Sequence, residues 1–178
     1  MNRTECLTYH RFEFKDIDMD ESEAIEKLDS LFQNAIRRCF EKDRYYGTQY
    51  HLVDMSGGMD SRMTNWVAHE LGYVNVVNTS YCQSGSYEFK CASMASAALD
   101  NQFLYKQLDD AGFLYEIDEI VNMNYGLAIF CGITGGKQLM ESLNPLKFGL
   151  EHTGQLGDVV VGTYGGTDSH LPVQRSSY

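Results

Sequence analysis

Apolar residues recur along the chain in two periods, and the switches between them predict alternating helices and strands. Tyr50, Leu52, Val53 and Met55 form a short β-prone run that reads as a buried strand, and Met63, Trp66, Val67 and Leu71 then share one face of a helix. Between the two lies Ser56-Gly57-Gly58-Met59-Asp60-Ser61, a glycine turn at a strand-to-helix junction. Upstream, Ser22 reads as an N-cap, and Ile25, Leu28, Phe32, Ala35/Ile36 and Cys39 keep helical spacing up to about Phe40. This predicts an amphipathic helix packed ahead of the first core strand, with Arg37, Arg38 and Lys42 suiting the negative end of its dipole. Leu7, Tyr9, Phe12 and Phe14 alternate before the acidic stretch Asp16–Glu21, which reads as a short edge strand or an extended arm.

Downstream, Tyr73–Tyr81 is rich in β-branched residues and predicts a second strand. Gln83–Ser86 makes a loop with a cap, and Ala92, Ala95, Ala98 and Leu99 give a small-residue helix able to lie close to a sheet. Gln102–Leu108 reads as a third, edge strand. A helix over Asp110–Val121 and a turn over Asn122–Gly126 precede a second helical stretch carrying Leu127, Phe130, Leu139, Met140 and Leu143. Gly132 and Gly135-Gly136 argue for a kink or loop in it. Gly135-Gly136-Lys137 has the look of a second phosphate loop, but no strand precedes it, so structural punctuation is the better reading. Pro145 stops that helix, and Leu146, Phe148 and Leu150 alternate into the glycine loop His152–Asp158. Strand, helix of about ten residues and strand make a right-handed parallel crossover. The expected fold is α/β: a doubly wound, mostly parallel sheet of about four to five strands with helices on both faces. The expected division is an arm at 1–21, the domain at 22–165 and a flexible tail at 166–178.

Composition narrows the function. With 178 residues and 43% hydrophobic content the chain suits one domain with a substantial core. Fourteen Lys+Arg stand against 25 Asp+Glu, a formal charge of −11, so phosphate must be bound by local geometry and metal rather than by a basic field. Nucleic acid is therefore not expected as a partner. Cys6, Cys39, Cys82, Cys91 and Cys131 are odd in number, far apart and without a C-x-x-C pair, and read as buried thiols of a reducing compartment. No stretch is apolar and long enough to span a membrane and no apolar signal core follows Met1, so the expected location is cytoplasmic and no membrane partner is expected.

The chemistry sits in the first glycine turn. Adjacent Gly57 and Gly58 let peptide N–H groups and the Ser56 and Ser61 hydroxyls converge on a phosphate chain, and the helix start adds a positive dipole end. Asp60 repels phosphate unless a cation lies between them, which suggests Mg²⁺. The later loop repeats the order strand, glycine, acid, and in a doubly wound sheet it faces the first across the switch point. Asp60 and Asp158 could then share a Mg²⁺ bound to a leaving pyrophosphate; the alternative is that Asp158 caps a following helix.

SGGMDS resembles the SGGxDS pyrophosphate loop of the ATP pyrophosphatases, and with Arg62 after it the chain is similar to the synthetase domain of glutamine-hydrolysing asparagine synthetases. Residues 22–42 resemble that family's helix ahead of the loop, and Thr153–Tyr164, TGQLGDVVVGTY, resembles its second signature, SGEGADELFGGY, with Thr153, Gly154, Gly157, Asp158, Gly162 and Tyr164 keeping type or position. The resemblance implies ATP and Mg²⁺, an aspartate-like carboxylate activated as an acyl-adenylate with release of pyrophosphate, and amide formation with ammonia. It implies nucleotide contacts from Ser56, Gly57, Gly58, Asp60, Ser61, Gly154 and Ser80 or its neighbours, and metal held by Asp60 and Asp158. Gln155 stands where the family has a glutamate, and an amide cannot accept a proton at neutral pH; Val159 replaces another acid. No cysteine follows Met1, so a separate glutaminase or ammonia source is expected as partner, and the family's lysine-bearing helices beyond the second loop are not expected before Tyr178. A homo-oligomer is compatible with this reading. The alternatives are a domain that binds nucleotide without turnover, as a fragment or partner of a larger protein, and another ATP pyrophosphatase such as a tRNA-modifying or nucleotide-amidating enzyme.

Overall fold

The computed structural model describes residues 6–11, 18–124 and 130–155. Helix α1 spans Glu21–Glu41, strand β1 Tyr50–Asp54, α2 Met59–Glu70, β2 Val76–Cys82, α3 Tyr87–Ala98, β3 Gln102–Gln107, α4 Ile117–Asn124, α5 Phe130–Ser142 and β4 Phe148–His152. The four strands form one parallel sheet in the order β3-β2-β1-β4. Strand order reverses beside β1, which gives an α/β sheet with a switch point between β1 and β4. Edge strand β3 lies where its broken apolar run placed it. Among the described residues no helix is long and apolar enough to cross a membrane.

Two apolar clusters hold helices to one face of the sheet. Ile36 and Phe40 of α1 meet Val67 and Ala68 of α2 over Val53 and Val76, and Ala92 and Leu99 close over Met55 and Phe103 beneath α3. Burying Phe40 completely contributes about 1.5–3 kcal/mol. The opposite face takes α5, whose Gly135 and Gly136 lie against Tyr81.

Several local expectations are corrected. The cap of α1 is Asp20, whose carboxylate accepts the Glu23 amide, not Ser22, which instead donates its hydroxyl to the same carboxylate. The apolar stripe of α1 is only partly used: Ile36 and Phe40 are buried, while Ile25, Leu28 and Leu31 are exposed. On α2 the buried face is Ser61, Thr64, Asn65, Val67 and Ala68, and Met63 and Trp66 point outward, because α2 turns polar residues toward the end of β1. Helix α4 covers 117–124 rather than 110–121, after a 3-10 turn at Gly112–Glu116. Helix α5 runs through Gly132, Gly135 and Gly136 without a break. A Cβ on Gly135 would come within 2.7 Å of Leu108 Cδ1, and one on Gly136 within 2.8 Å of Tyr81 Cε1, so these two glycines serve close packing. Of the two alternatives for the N-terminal stretch, an edge strand is not formed by residues 6–11, which are neither helix nor strand with Tyr9 fully exposed, while Phe12 and Phe14 lie outside the described residues. The thiols of Cys6 and Cys39 are exposed, against the expectation of burial, while Cys82 is buried and Cys91 half-buried. The tail at 166–178 and Cys131's side chain lie outside the described residues.

One buried carboxylate fastens β4 to β1. The register between them shifts after Tyr50↔Phe148, so that Leu52 pairs with Glu151 and Val53 with His152. The shift adds one residue to β4 relative to β1, and a side chain bonds the Leu150 amide within it. Asp43, from the 3-10 turn at Lys42–Tyr46, accepts that Leu150 N–H at 2.8 Å. Gly149 makes room for it, since a Cβ there would overlap the Asp43 carboxylate. Gly149→Ala should therefore lower stability by about 1–3 kcal/mol, read as a fall in the urea midpoint at unchanged slope. A midpoint equal to that of the parent chain would show that β4 does not need this approach.

Candidate functional site

Strand β1 ends at Asp54, and the chain crosses Met55–Gly58 into α2. Asn65, nearly fully buried on α2, donates Nδ2 to the Asp54 carbonyl (3.0 Å) and to the Ser61 carbonyl (2.8 Å), tying the strand end to the helix. Asn78 extends this polar chain along the same face of the sheet towards β3, donating Nδ2 to Asn65 Oδ1 (2.5 Å) and to the Val53 carbonyl (3.2 Å), while its Oδ1 accepts from Asn101 Nδ2 (3.0 Å). A polar network this buried is stable because its members are paired, and it fixes where the turn leaves the sheet.

Within the turn, the Ser56 and Ser61 hydroxyls lie 2.8 Å apart, the Ser56 amide donates to Ser61 Oγ (3.0 Å), and the Gly58 amide donates to Ser56 Oγ (3.1 Å). Gly58 is the N-cap of α2 and supplies no side-chain cap. Neither Gly57 nor Gly58 has a positive φ. Their lack of a Cβ serves close approach instead: a Cβ on Gly57 would lie 3.3 Å from the Glu88 backbone of α3, and one on Gly58 3.2 Å from Ser56 Oγ. Across the switch point, β4 runs directly into Thr153–Gln155. A Cβ on Gly154 would stand 2.5 Å from the Ser61 nitrogen, so the second loop lies against the first turn of α2.

These loops border an open cavity of about 670 Å³ at the carboxyl ends of the strands. Of the residues singled out in the sequence, Ser56, Gly58, Asp60, Ser61, Ser80, Gly154 and Gln155 line it. Gly57 does not line it and packs against α3. Asp158, with Gly157 and the remainder of the second signature, lies outside the described residues. Ser80 is buried near the end of β2, with Gln83 following in the loop.

Among the lining residues that had not been singled out are Asp54, Tyr81 and Glu88. Asp54 accepts from the Thr79 hydroxyl at 2.8 Å and shares a hydrogen bond with Glu151 of the neighbouring strand. Asp54, Tyr81 and Gln155 also line a second cavity of about 620 Å³, reached by Glu151 and Lys137. Glu151 is exposed over much of its side chain. Desolvation of its carboxyl, then the charge of and hydrogen bond with Asp54, push it up to about 7. Burial likewise raises Asp54. Tyr81 is pushed up to about 12 by burial and by the negative charge of Asp54, Glu151 and Glu88. The two carboxyls therefore hold a proton between them near neutral pH. The signal in the sequence was an acid at or next to the end of a strand in each case, at Asp54 and at Glu151. Only the parallel pairing of β1 with β4 shows that these acids meet.

A carboxyl raised in the folded state, here from 4.5 to about 7, releases its proton on unfolding throughout the interval between those values. Stability should then fall as pH rises from about 5 to 7. Glu151→Gln should flatten that slope and raise stability above pH 7, measured by urea midpoints across the range. An unchanged slope in the variant would show that the pair does not share a proton.

No family model matches the sequence, and no curated protein matches it. Among solved structures, the NH3-dependent NAD synthetase from Campylobacter jejuni subsp. jejuni NCTC 11168, in complex with the nitrate ion, is 16% identical over 75% of this chain and 56% of that one, with a TM-score of 0.43. NAD+ synthetase from Burkholderia pseudomallei is 17% identical over 70% of this chain and 56% of that one, with a TM-score of 0.36. The chain spans little more than half the length of either protein, and both are NAD synthetases rather than asparagine synthetases.

Proposed function

We propose that the chain is an ATP-binding domain of the pyrophosphate-loop type that activates a carboxylate as its adenylate. The observation that carries this reading is the approach of Gly154 to the Ser61 amide, which sets both glycine loops on one cavity beside the Ser56–Ser61 hydroxyl pair. Backbone amides at the start of α2 supply donors and a positive dipole end for phosphate. Among the described lining residues there is no Lys or Arg, and three carboxyls, Asp54, Asp60 and Glu88, face the space. A triphosphate there needs a cation, and Asp60, which lines the cavity, is the residue proposed to hold Mg²⁺, which neutralises phosphate charge. Asp158 is proposed as the second ligand on the resemblance alone. Ser80 and Gln83 at the exit of β2 are the residues proposed to meet the base.

In this reaction a carboxylate oxygen of the substrate attacks the α-phosphorus and the bond to the β-phosphate oxygen breaks, releasing pyrophosphate. A nitrogen nucleophile then attacks the acyl carbon, the amide forms and AMP leaves. The chain contributes alignment and charge stabilisation. An aspartate-like acceptor, with ammonia from a separate source, is the form that the asparagine-synthetase resemblance favours. A second reading, nucleotide binding without turnover, is favoured by Gln155, whose amide offers no base at the cavity wall.

Pyrophosphate release from Mg-ATP, measured over a panel of amino acids, separates the two. Turnover that falls by about a hundredfold or more in Asp60→Ala supports adenylation; Mg-ATP heats in calorimetry with no pyrophosphate formed by the parent chain would replace it with the second reading. Gly154→Ala forces a methyl group onto the Ser61 amide and should weaken Mg-ATP binding by about tenfold, an overpacking cost of 1–3 kcal/mol. Equal affinity in that variant would separate β4's loop from the nucleotide.

A further inference from the structure

The buried side chains that fasten β4 to β1 also form a ligand set that neither cavity uses. Asp43 Oδ2 lies 2.5 Å from His51 Nδ1 and 2.9 Å from His152 Nε2, and the three atoms all fall within 4.8 Å of one another. They come from three separate elements: the 3-10 turn after α1, the second residue of β1 and the last residue of β4. Asp43 and His152 are buried, whereas the His51 side chain keeps 20% of its surface exposed and leaves a way in. The surroundings hold each group in place. The Leu150 amide fixes Asp43 Oδ1 at 2.8 Å, and Phe40 stacks on the His152 ring at 4.1 Å and 12°. Tyr73 meets the His51 ring edge-on at 5.3 Å and 79°.

Two imidazoles and one carboxylate oxygen suit zinc and its late first-row neighbours, whereas Mg²⁺ and Ca²⁺ prefer all-oxygen sets. An ion about 2.0–2.1 Å from each donor sets the donors roughly 3.3 Å apart, so Asp43 Oδ2, now 2.5 Å from His51 Nδ1 and 2.9 Å from His152 Nε2, must draw back by about 0.8 Å from the first and about 0.4 Å from the second. The fourth position falls to water on the open side of His51. We propose that Asp43, His51 and His152 bind one divalent transition-metal ion of the zinc class, which locks β4 to β1. His152 leads directly into Thr153-Gly154, so the ion would also steady the loop that lies against α2. The competing account is a hydrogen-bonded staple in which one carboxylate oxygen accepts from both imidazoles.

The test uses tag-free full-length protein stripped with EDTA and passed into chelator-free buffer. Zn²⁺ titrated in the calorimeter should bind at one equivalent per chain, Co²⁺ should give the visible absorption of a four-coordinate nitrogen–oxygen site, and thermal unfolding should shift upward with either ion. His51→Gln, the variant least exposed to a folding failure because its side chain is partly open, should weaken Zn²⁺ by about tenfold or more, with far-UV circular dichroism confirming that it folds. His152→Gln should do the same, and His69→Gln on the exposed face of α2 should bind as the parent does. No stoichiometric uptake by the parent, or uptake equal in His51→Gln and the parent, would overturn the proposal and leave the staple. None of these readouts depends on ATP, so the outcome is separate from that of the adenylation assay.

Discussion

The site depends on how closely the backbone after β4 can approach the first turn of α2. That distance is set by parallel pairing of β4 with β1 and by the absence of a side chain at Gly154. Asn65 secures the other half, because one amide group holds both the end of β1 and the first turn of α2. With both restraints in place, two loops far apart in sequence share one mouth.

Charge then limits what can occupy that mouth. The chain carries a formal charge of −11, and the described cavity wall adds Asp54, Asp60 and Glu88. Under the proposed function these three carboxyls repel a bare polyphosphate, and directional amides, hydroxyls and a cation would supply the attraction. The carboxyl pair of Asp54 and Glu151 eases this by holding a proton. Asp54 at the end of β1 and Glu151 next to the end of β4 can therefore lie side by side without full mutual repulsion.

The β4 bulge links the cavity to the opposite side of the sheet. Asp43 accepts the Leu150 amide on one oxygen and meets both histidines on the other. Burial favours a neutral acid, yet hydrogen bonds from His152, the Leu150 amide and His51 hold Asp43 below the ordinary carboxylate range. A charge fixed so firmly beneath β4 constrains the residues that follow it, including the glycine that meets α2.

The amino-acid order by itself determined the α/β class, the strand-to-helix position of Ser56–Ser61, the edge placement of β3 and the arrival of a further strand, β4, leading into Gly154. These are local matters, written in hydrophobic period and turn chemistry over windows of ten or so residues. Tertiary structure alone decided which face of α2 is buried, because Asn65 and Thr64 turn inward to satisfy backbone groups that no periodicity reveals. It also decided that Gly135 and Gly136 continue a helix, since the reason for them is the Tyr81 ring of a strand some fifty residues earlier. The meetings of Asp54 with Glu151 and of Asp43 with His51 and His152 belong to the same class. Each joins groups brought together by strand register, and register is a property of the folded sheet rather than of any one segment.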